Sequence, residues 1–215
     1  MTAQKKILLY QGGRYFFKKR THRYFKKILD EYIVDMYKDV EVFSTRDFID
    51  KYDTTIFFSQ WGEFTETQEK NVLDFVSQNG FVGLHGASAS FKEHPKYYEM
   101  LGGRFVDHKS KTTFDVHIVD KDHPITRDLE DFQFYDEPYR HDFSMGGDIH
   151  VLAKADYHDP EDPELEPIMW TKTYNRGRVF FCALGHKAKS LKERIFQKII
   201  RNAVEWVFEG NSEGN

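Results

Sequence analysis

Ten histidines are spread along the chain, and three of them, His85, His108 and His186, stand just past a strand-like stretch and close to glycine. Glu137 joins them because it lies in an aromatic run, Tyr135-Asp136-Glu137-Pro138-Tyr139, where a carboxyl is readily perturbed. An imidazole held by a carboxylate is a workable general acid or base near neutral pH. Three imidazoles and a carboxylate equally make a shell for a divalent metal. No His-Glu-x-x-His helix and no Cys-x-x-Cys pair supports the metal reading, so the metal remains open. For each histidine alone, a satisfied structural role stands beside the functional one.

His85 has the most defined surroundings. It sits in Asn79-Gly80-Phe81-Val82-Gly83-Leu84-His85-Gly86-Ala87-Ser88. Phe81 to Leu84 has the length of a buried strand, and it breaks at once into small residues and a stretch able to start a helix. Gly83-x-His85-x-Ala87 copies the spacing of the nucleophile elbow, in which a sharp strand-to-helix turn lifts one side chain above the sheet. Histidine in that place can act as acid, base or ligand, but makes a poor hydrolase nucleophile. The plainer reading is a tight turn with His85 capping the next helix. Ser88 suits a helix cap better than a displaced nucleophile. Cys182, in the middle of an apolar strand, reads as a small buried hydrophobe. His22, shortly after the first strand, is a further candidate.

Positioning such groups requires a sheet. Lys6 to Tyr10, Val40 to Phe43, Thr54 to Phe58 and Phe81 to Leu84 read as successive strands. Between the last two, Thr65 and Gln68 form a capping box ahead of a helix with a Val72, Leu73, Phe75, Val76 stripe. Strands alternating with helices predict a parallel sheet covered on both faces, with ligands beyond the carboxyl ends of the strands. Gln11 to Gly13, Ser59 to Gly62 and His85 to Ser88 should therefore converge. Further on, Leu101 to Phe105 reads as a glycine-containing turn. Thr113 to Val119, His150 to Lys154, Pro167 to Thr171 and Arg178 to Leu184 read as strands. Leu191, Ile195, Ile199, Ala203 and Val207 mark a long final helix. One domain over 1–209 and a flexible tail over 210–215 complete the organisation.

Composition narrows the function classes. Of 215 residues 40% are hydrophobic, 16% aromatic and 31% charged, and the net charge is −4; these values suit a folded, water-soluble protein and not a general nucleic-acid binder. The basic run Lys18 to Lys27 reads as a solvated helix face. A single cysteine fits a reducing, cytoplasmic setting, and no apolar stretch has the length of a membrane span.

Four segments in order carry a resemblance: Val82 to Ser88; Leu101-Gly102-Gly103-Arg104-Phe105 with His108; His123-Pro124-Ile125 leading to Asp136-Glu137-x-Tyr139; and Gly177 to Phe180 through Ala183-Leu184-Gly185-His186. Together they resemble the ThuA-like, or trehalose-utilisation, family over Ile7 to Val207. The resemblance implies an α/β fold, the flavodoxin-like three-layer α/β/α sandwich of the class I glutamine amidotransferase-like superfamily, with a mostly parallel sheet. In that superfamily's amidotransferases the elbow holds a catalytic cysteine; here His85 takes its place, which excludes glutamine hydrolysis through a thioester. What is implied is a carbohydrate-metabolism enzyme acting on a sugar or keto-sugar, trehalose or a related disaccharide. His85, Glu137 and His186 would be catalytic. Trp61 and Tyr139 would stack on sugar rings, Arg104 and His108 would hold hydroxyls, and Gly86 would line the site. A non-catalytic sugar-binding or regulatory module on the same fold is the alternative. The expected partner is a small sugar, without nucleic acid or membrane, and homo-oligomerisation and a divalent metal stay open. The segment Tyr15 to His22 departs from the family pattern with a basic, aromatic stretch.

Overall fold

Strands and helices alternate through the first half of the chain, as the periodicity requires. The computed structural model describes residues 4–13, 21–161 and 163–210. The tail 211–215 and the part of the basic, aromatic stretch within 14–20 lie outside the described residues. The order is β1 (Lys6–Tyr10), α1 (Thr21–Ile28), β2 (Ile33–Tyr37), α2 (Asp47–Lys51), β3 (Thr54–Phe57), α3 (Glu66–Val76), β4 (Gly80–Leu84) and α4 (Pro95–Leu101). Then come β5 (Arg104–His108), β6 (Thr112–Ile118), β7 (Phe132–Asp136), β8 (Tyr139–Asp142), β9 (His150–Asp156), β10 (Glu166–Tyr174), β11 (Gly177–Cys182) and α5 (Arg194–Gly210).

Nine strands form one sheet in the order β2-β1-β3-β4-β11-β10-β9-β6-β7. From β2 to β11 the neighbours run parallel; from β11 to β7 they run antiparallel. β5 and β8 pair antiparallel in a separate two-stranded sheet. Both faces are covered. Gly80 and Gly83 of β4 differ by an odd step and so point to opposite faces. A Cβ at Gly80 would meet Val207 of α5, and one at Gly83 would meet Leu101 of α4. β4 is therefore the middle of a three-layer sandwich, and its wholly buried sequence follows from having helices on both sides.

Local chemistry explains the elements that matter here. Thr65 Oγ1 accepts from the Gln68 amide, and the Gln68 side chain accepts from the Thr65 amide, so the capping box starts α3 as the sequence demands. α5 buries Phe196, Ile199, Ile200, Ala203, Val204, Val207 and Phe208 at helical spacing. Each large apolar side chain so buried contributes about 1.5–3 kcal/mol.

Two elements differ from the sequence reading. Val40 to Phe43 is a 3₁₀ turn and not a strand, because Asp39 accepts from the Glu41 amide. Phe43 turns into a cluster with Tyr10, Phe57 and Phe64. The strand position beside β1 is taken by Ile33–Tyr37, whose Asp35 interrupts the apolar pattern. Leu101 to Phe105 is only in part a turn: Gly102 ends α4 at φ 95°, but Arg104 already opens β5. Gln11 to Gly13 and Ser59 to Gly62 do converge, since Gly13 bridges to Gln60. Gly86 belongs with them, because a Cβ there would stand 2.5 Å from the Ser59 carbonyl oxygen.

Candidate active site

His85 is the first residue beyond β4, and it takes a left-handed backbone with φ 46°. That conformation is costly for a residue with a Cβ, and it is the sharp turn the elbow spacing predicts. A short 3₁₀ turn, His85–Ala89, follows in place of a longer helix. Glycine at 86 is required because the elbow lies against the backbone of Ser59 and Gln60. The His85 Nδ1 lies 2.7 Å from the Ala183 carbonyl oxygen, just past β11. A carbonyl only accepts, so Nδ1 carries the hydrogen and a neutral His85 presents Nε2 as its lone-pair nitrogen.

That nitrogen faces Glu137 Oε2 at 3.5 Å. The same oxygen lies 2.8 Å from His186 Nδ1 and 3.9 Å from His108 Nε2. The other, Oε1, lies 3.5 Å from Lys111 Nζ, which also stands 2.8 Å from His186 Nε2. A lysine can only donate, so Nε2 of His186 accepts, and a neutral His186 keeps its hydrogen on Nδ1 toward Glu137. The His85 side chain is 0% exposed and Glu137 8%, but His186 is 23%, Lys111 28% and His108 40% exposed. The centre therefore opens to solvent through its outer members. Beside it a cavity of about 390 Å³ is lined in part by Lys111, Asp136 and His186. A second, of about 640 Å³, has His108 in its wall. Both volumes fall in the range that holds small ligands.

Asp136, the last residue of β7, holds the two arms together. One oxygen accepts from the Glu137 amide at 2.9 Å. The other accepts from the Gly185 and His186 amides at 2.7 and 3.3 Å. Gly185 has φ 119°, a backbone that only glycine adopts without strain. Below the elbow, Ser88 Oγ donates to the His85 carbonyl and lies 3.3 Å from His141 Nε2. The His141 amide donates to Glu166. Burial pushes the His141 imidazole below its usual pKa, outweighing Glu166, and keeps it neutral. Burial also pushes Glu137 upward, but His186, and His85 in its imidazolium form, more than offset this and hold it well below the ordinary carboxylate range.

Of the residues singled out by sequence, the structure gathers His85, Glu137, His186, His108 and Tyr139. Tyr139 is buried, with its ring 4.2 Å from that of His85 and 5.7 Å from that of His108. It is thus a floor for the imidazoles, with little face to offer a sugar. Gly86 is buried in the elbow. Trp61 is exposed on the loop after β3 with Lys92 over its ring. Arg104 lies opposite Asp142, at the end of β5 away from His108. His22 sits on α1. His22 is not among the ligand atoms gathered by His85, Glu137 and His186. Sequence reasoning assigned no role to Lys111, His141 or Asp136; only Asp136 left a trace, as one of two adjacent acids among aromatics.

The donor set suits proton transfer, and it also suits a cation. His85 Nε2, Glu137 Oε2 and His186 Nδ1 lie within 4.8 Å of one another. A tetrahedral ion with bonds of about 2.1 Å needs ligand atoms about 3.4 Å apart, close to the 3.5 Å edge between His85 and Glu137. The His85 bond to a backbone carbonyl is the outer contact that orients a metal-binding imidazole. Lys111 opposes this at His186, since its donation places the Nδ1 hydrogen where an ion would bind. Thiol chemistry has no such centre: Cys182 is buried within β11, and burial pushes its thiol up to about 12.

A model of the family described as trehalose utilisation, ThuA, matches residues 6–207. No curated protein matches the sequence. Among solved structures, a ThuA-like protein from Parabacteroides merdae is 21% identical, with a TM-score of 0.84 over 97% of this chain and 91% of its own. A ThuA-like protein from Bacteroides uniformis is 20% identical, with a TM-score of 0.79 over 96% and 93%. A glutamine amidotransferase from Thermotoga maritima is 8% identical, with a TM-score of 0.60 over 96% and 99%. At these identities the structures establish the fold: the class I glutamine amidotransferase-like α/β sandwich.

Proposed function

The chain belongs to the ThuA trehalose-utilisation family, which carries a sugar-related role, and from that premise we propose that it is an enzyme acting on a sugar or keto-sugar by histidine–carboxylate acid–base chemistry. His85 is the central acid or base, with Glu137 and His186 its partners. The observation that carries this reading is the setting of His85: a left-handed elbow, Nδ1 committed to the Ala183 carbonyl, and Nε2 directed at Glu137. A histidine that only filled space would not need that conformation. His85 is buried, Glu137 lies between it and His186, and His186 lines one cavity, so a proton exchanged between His85 and a substrate there passes by Glu137 and His186. Loss or gain of a proton beside a sugar carbonyl, as in isomerisation or elimination, suits such a relay. Glutamine hydrolysis does not, since the elbow offers imidazole and not thiolate.

The donor set admits a second reading, in which His85, Glu137 and His186 would hold a divalent ion able to polarise a sugar carbonyl or a water. One series of measurements separates the two. Metal content is determined on untagged wild type, His85→Ala and His186→Ala, and a panel of disaccharides and keto-sugars is then screened for turnover. The acid–base reading expects turnover without metal, falling at least about 100-fold in His85→Ala with the fold retained. Stoichiometric zinc, manganese or iron, lost in both variants, establishes the metal reading. Full turnover by His85→Ala refutes both. A sugar that binds and is never consumed makes the protein a binding module.

A further inference from the structure

The cavity of about 390 Å³ beside His186 has a charge pattern that the reacting cluster does not account for. Lys111 enters it from the start of β6, and Lys187 and Lys189 enter it from the loop after β11, over a floor that includes Phe134 and Ile195. Around the neighbouring cavity, cations are matched by acids. Lys109 pairs with Asp159 and Glu161, and Arg140 pairs with Asp159. Lys187 and Lys189 have no such carboxylate among the described residues. Two acids line their cavity, Asp136 and Glu193. Asp136 has both oxygens occupied by the amides of Glu137, Gly185 and His186, and Glu193 is exposed. Three ammonium groups against two carboxylates leave the lining of this concave space with an excess of positive charge. Such an excess in a cleft concentrates ligands of the opposite sign.

We propose that this cavity is a subsite for an anionic group, a carboxylate or a phosphate, carried by the sugar substrate, with Lys111 at its inner end and Lys187 and Lys189 along its rim. The inference rests on the reading of the cluster as the centre of a sugar-processing enzyme, and it narrows the substrate class to sugar acids or sugar phosphates. Lysine suits this task because its ammonium is a compact charge that meets an anion from any side. The position of Lys111 ties binding to chemistry. Its Nζ stands 2.8 Å from His186 Nε2 and 3.5 Å from Glu137 Oε1. That ammonium has three hydrogens, so an anion in the cavity shares it with His186 and Glu137 and is bound one side chain away from the reacting pair.

The test is calorimetric titration of the full chain at low ionic strength with glucose, glucuronate, glucose 6-phosphate and inorganic phosphate. Wild type is compared with Lys111→Met and with a double Lys187→Ala, Lys189→Ala variant, whose exposed side chains can be removed without disturbing the fold. The expected result is that glucuronate or glucose 6-phosphate binds at least about tenfold more tightly than glucose, and that the double variant loses most of this margin. Added salt should weaken the anionic ligands and leave glucose unaffected. Preference for glucuronate assigns a carboxylate, and preference for glucose 6-phosphate a phosphate. Inorganic phosphate bound as tightly as either keeps the subsite but removes its tie to sugar. Glucose bound as tightly as its anionic relatives, anion affinity unchanged in the double variant, or no binding by any probe overturns the subsite. The first of these outcomes leaves the sugar reading standing.

Discussion

Asp136→Asn isolates what holds the site together, since it changes one oxygen for an NH₂ of nearly the same size. In the native protein that carboxylate accepts from three backbone amides, at 2.9 Å from Glu137 through one oxygen and at 2.7 and 3.3 Å from Gly185 and His186 through the other. Asparagine offers one acceptor and two donors. Either its oxygen meets Glu137 and its NH₂ confronts the Gly185 and His186 amides, or the reverse. At least one buried N–H then loses its partner, at about 1–3 kcal/mol, and the surviving bond loses the benefit of an ionised acceptor. The expected cost is about 2–5 kcal/mol, a large share of the stability of about 5–15 kcal/mol usual for a domain. Denaturant titration of wild type and variant, with matched slopes, measures it. The second readout is local: imidazole NMR signals of His186 and His85 should change in the variant, because Asp136 sets where both arms lie. Glu137→Gln, which leaves all three amide bonds in place, should cost less stability. A loss below about 0.5 kcal/mol in Asp136→Asn, or His186 signals identical to wild type, would refute the clamp.

Two further outcomes follow from the same geometry. His186 and His85, working against burial, hold the Glu137 carboxyl well below its ordinary value of 4.5. Its contribution to stability is therefore present above the unfolded value and is lost as pH falls through the lower native value. Between about pH 6 and about pH 3, wild type should lose more stability than Glu137→Gln; parallel curves would remove the ionic role. Gly86→Ala places a Cβ 2.5 Å from the Ser59 carbonyl oxygen and 2.9 Å from Gln60 Cβ. It should cost about 1–3 kcal/mol and shift the His85 signals, and a thermal midpoint equal to wild type would show that the loop yields freely.

Much of this protein was legible locally. Phe81 to Leu84 followed by His85-Gly86-Ala87 reads as an elbow because the signal lies within a few residues: an apolar run, then small residues where the backbone must turn. The α3 capping box and the α5 stripe are local in the same sense. His85, Glu137 and His186 stood out because each lies at a strand end or in an aromatic run, and the topology then brings those ends together. Val40 to Phe43 was misread because its alternation suits a strand as well as a turn, and only the packing of Phe43 against Tyr10 and Phe57 separates the two. β5 escaped notice because Arg104-Phe-Val-Asp-His108 is mostly exposed and is a strand only while paired with β8. No helix among the described residues is long and apolar enough to cross a membrane, as hydropathy along the chain had already indicated. Residue type and spacing thus determined the elbow, the main layers and three members of the centre, since backbone sterics and periodic burial act over short stretches. Tertiary structure alone decided that Asp136 ties residue 137 to residues 185 and 186, that Lys111 reaches His186 and Glu137, and that Tyr139 is buried beneath the imidazoles. Those contacts join residues 26 to 75 positions apart by subtraction of their numbers, and no local pattern encodes a distance that exists only after the sheet has brought its strand ends together.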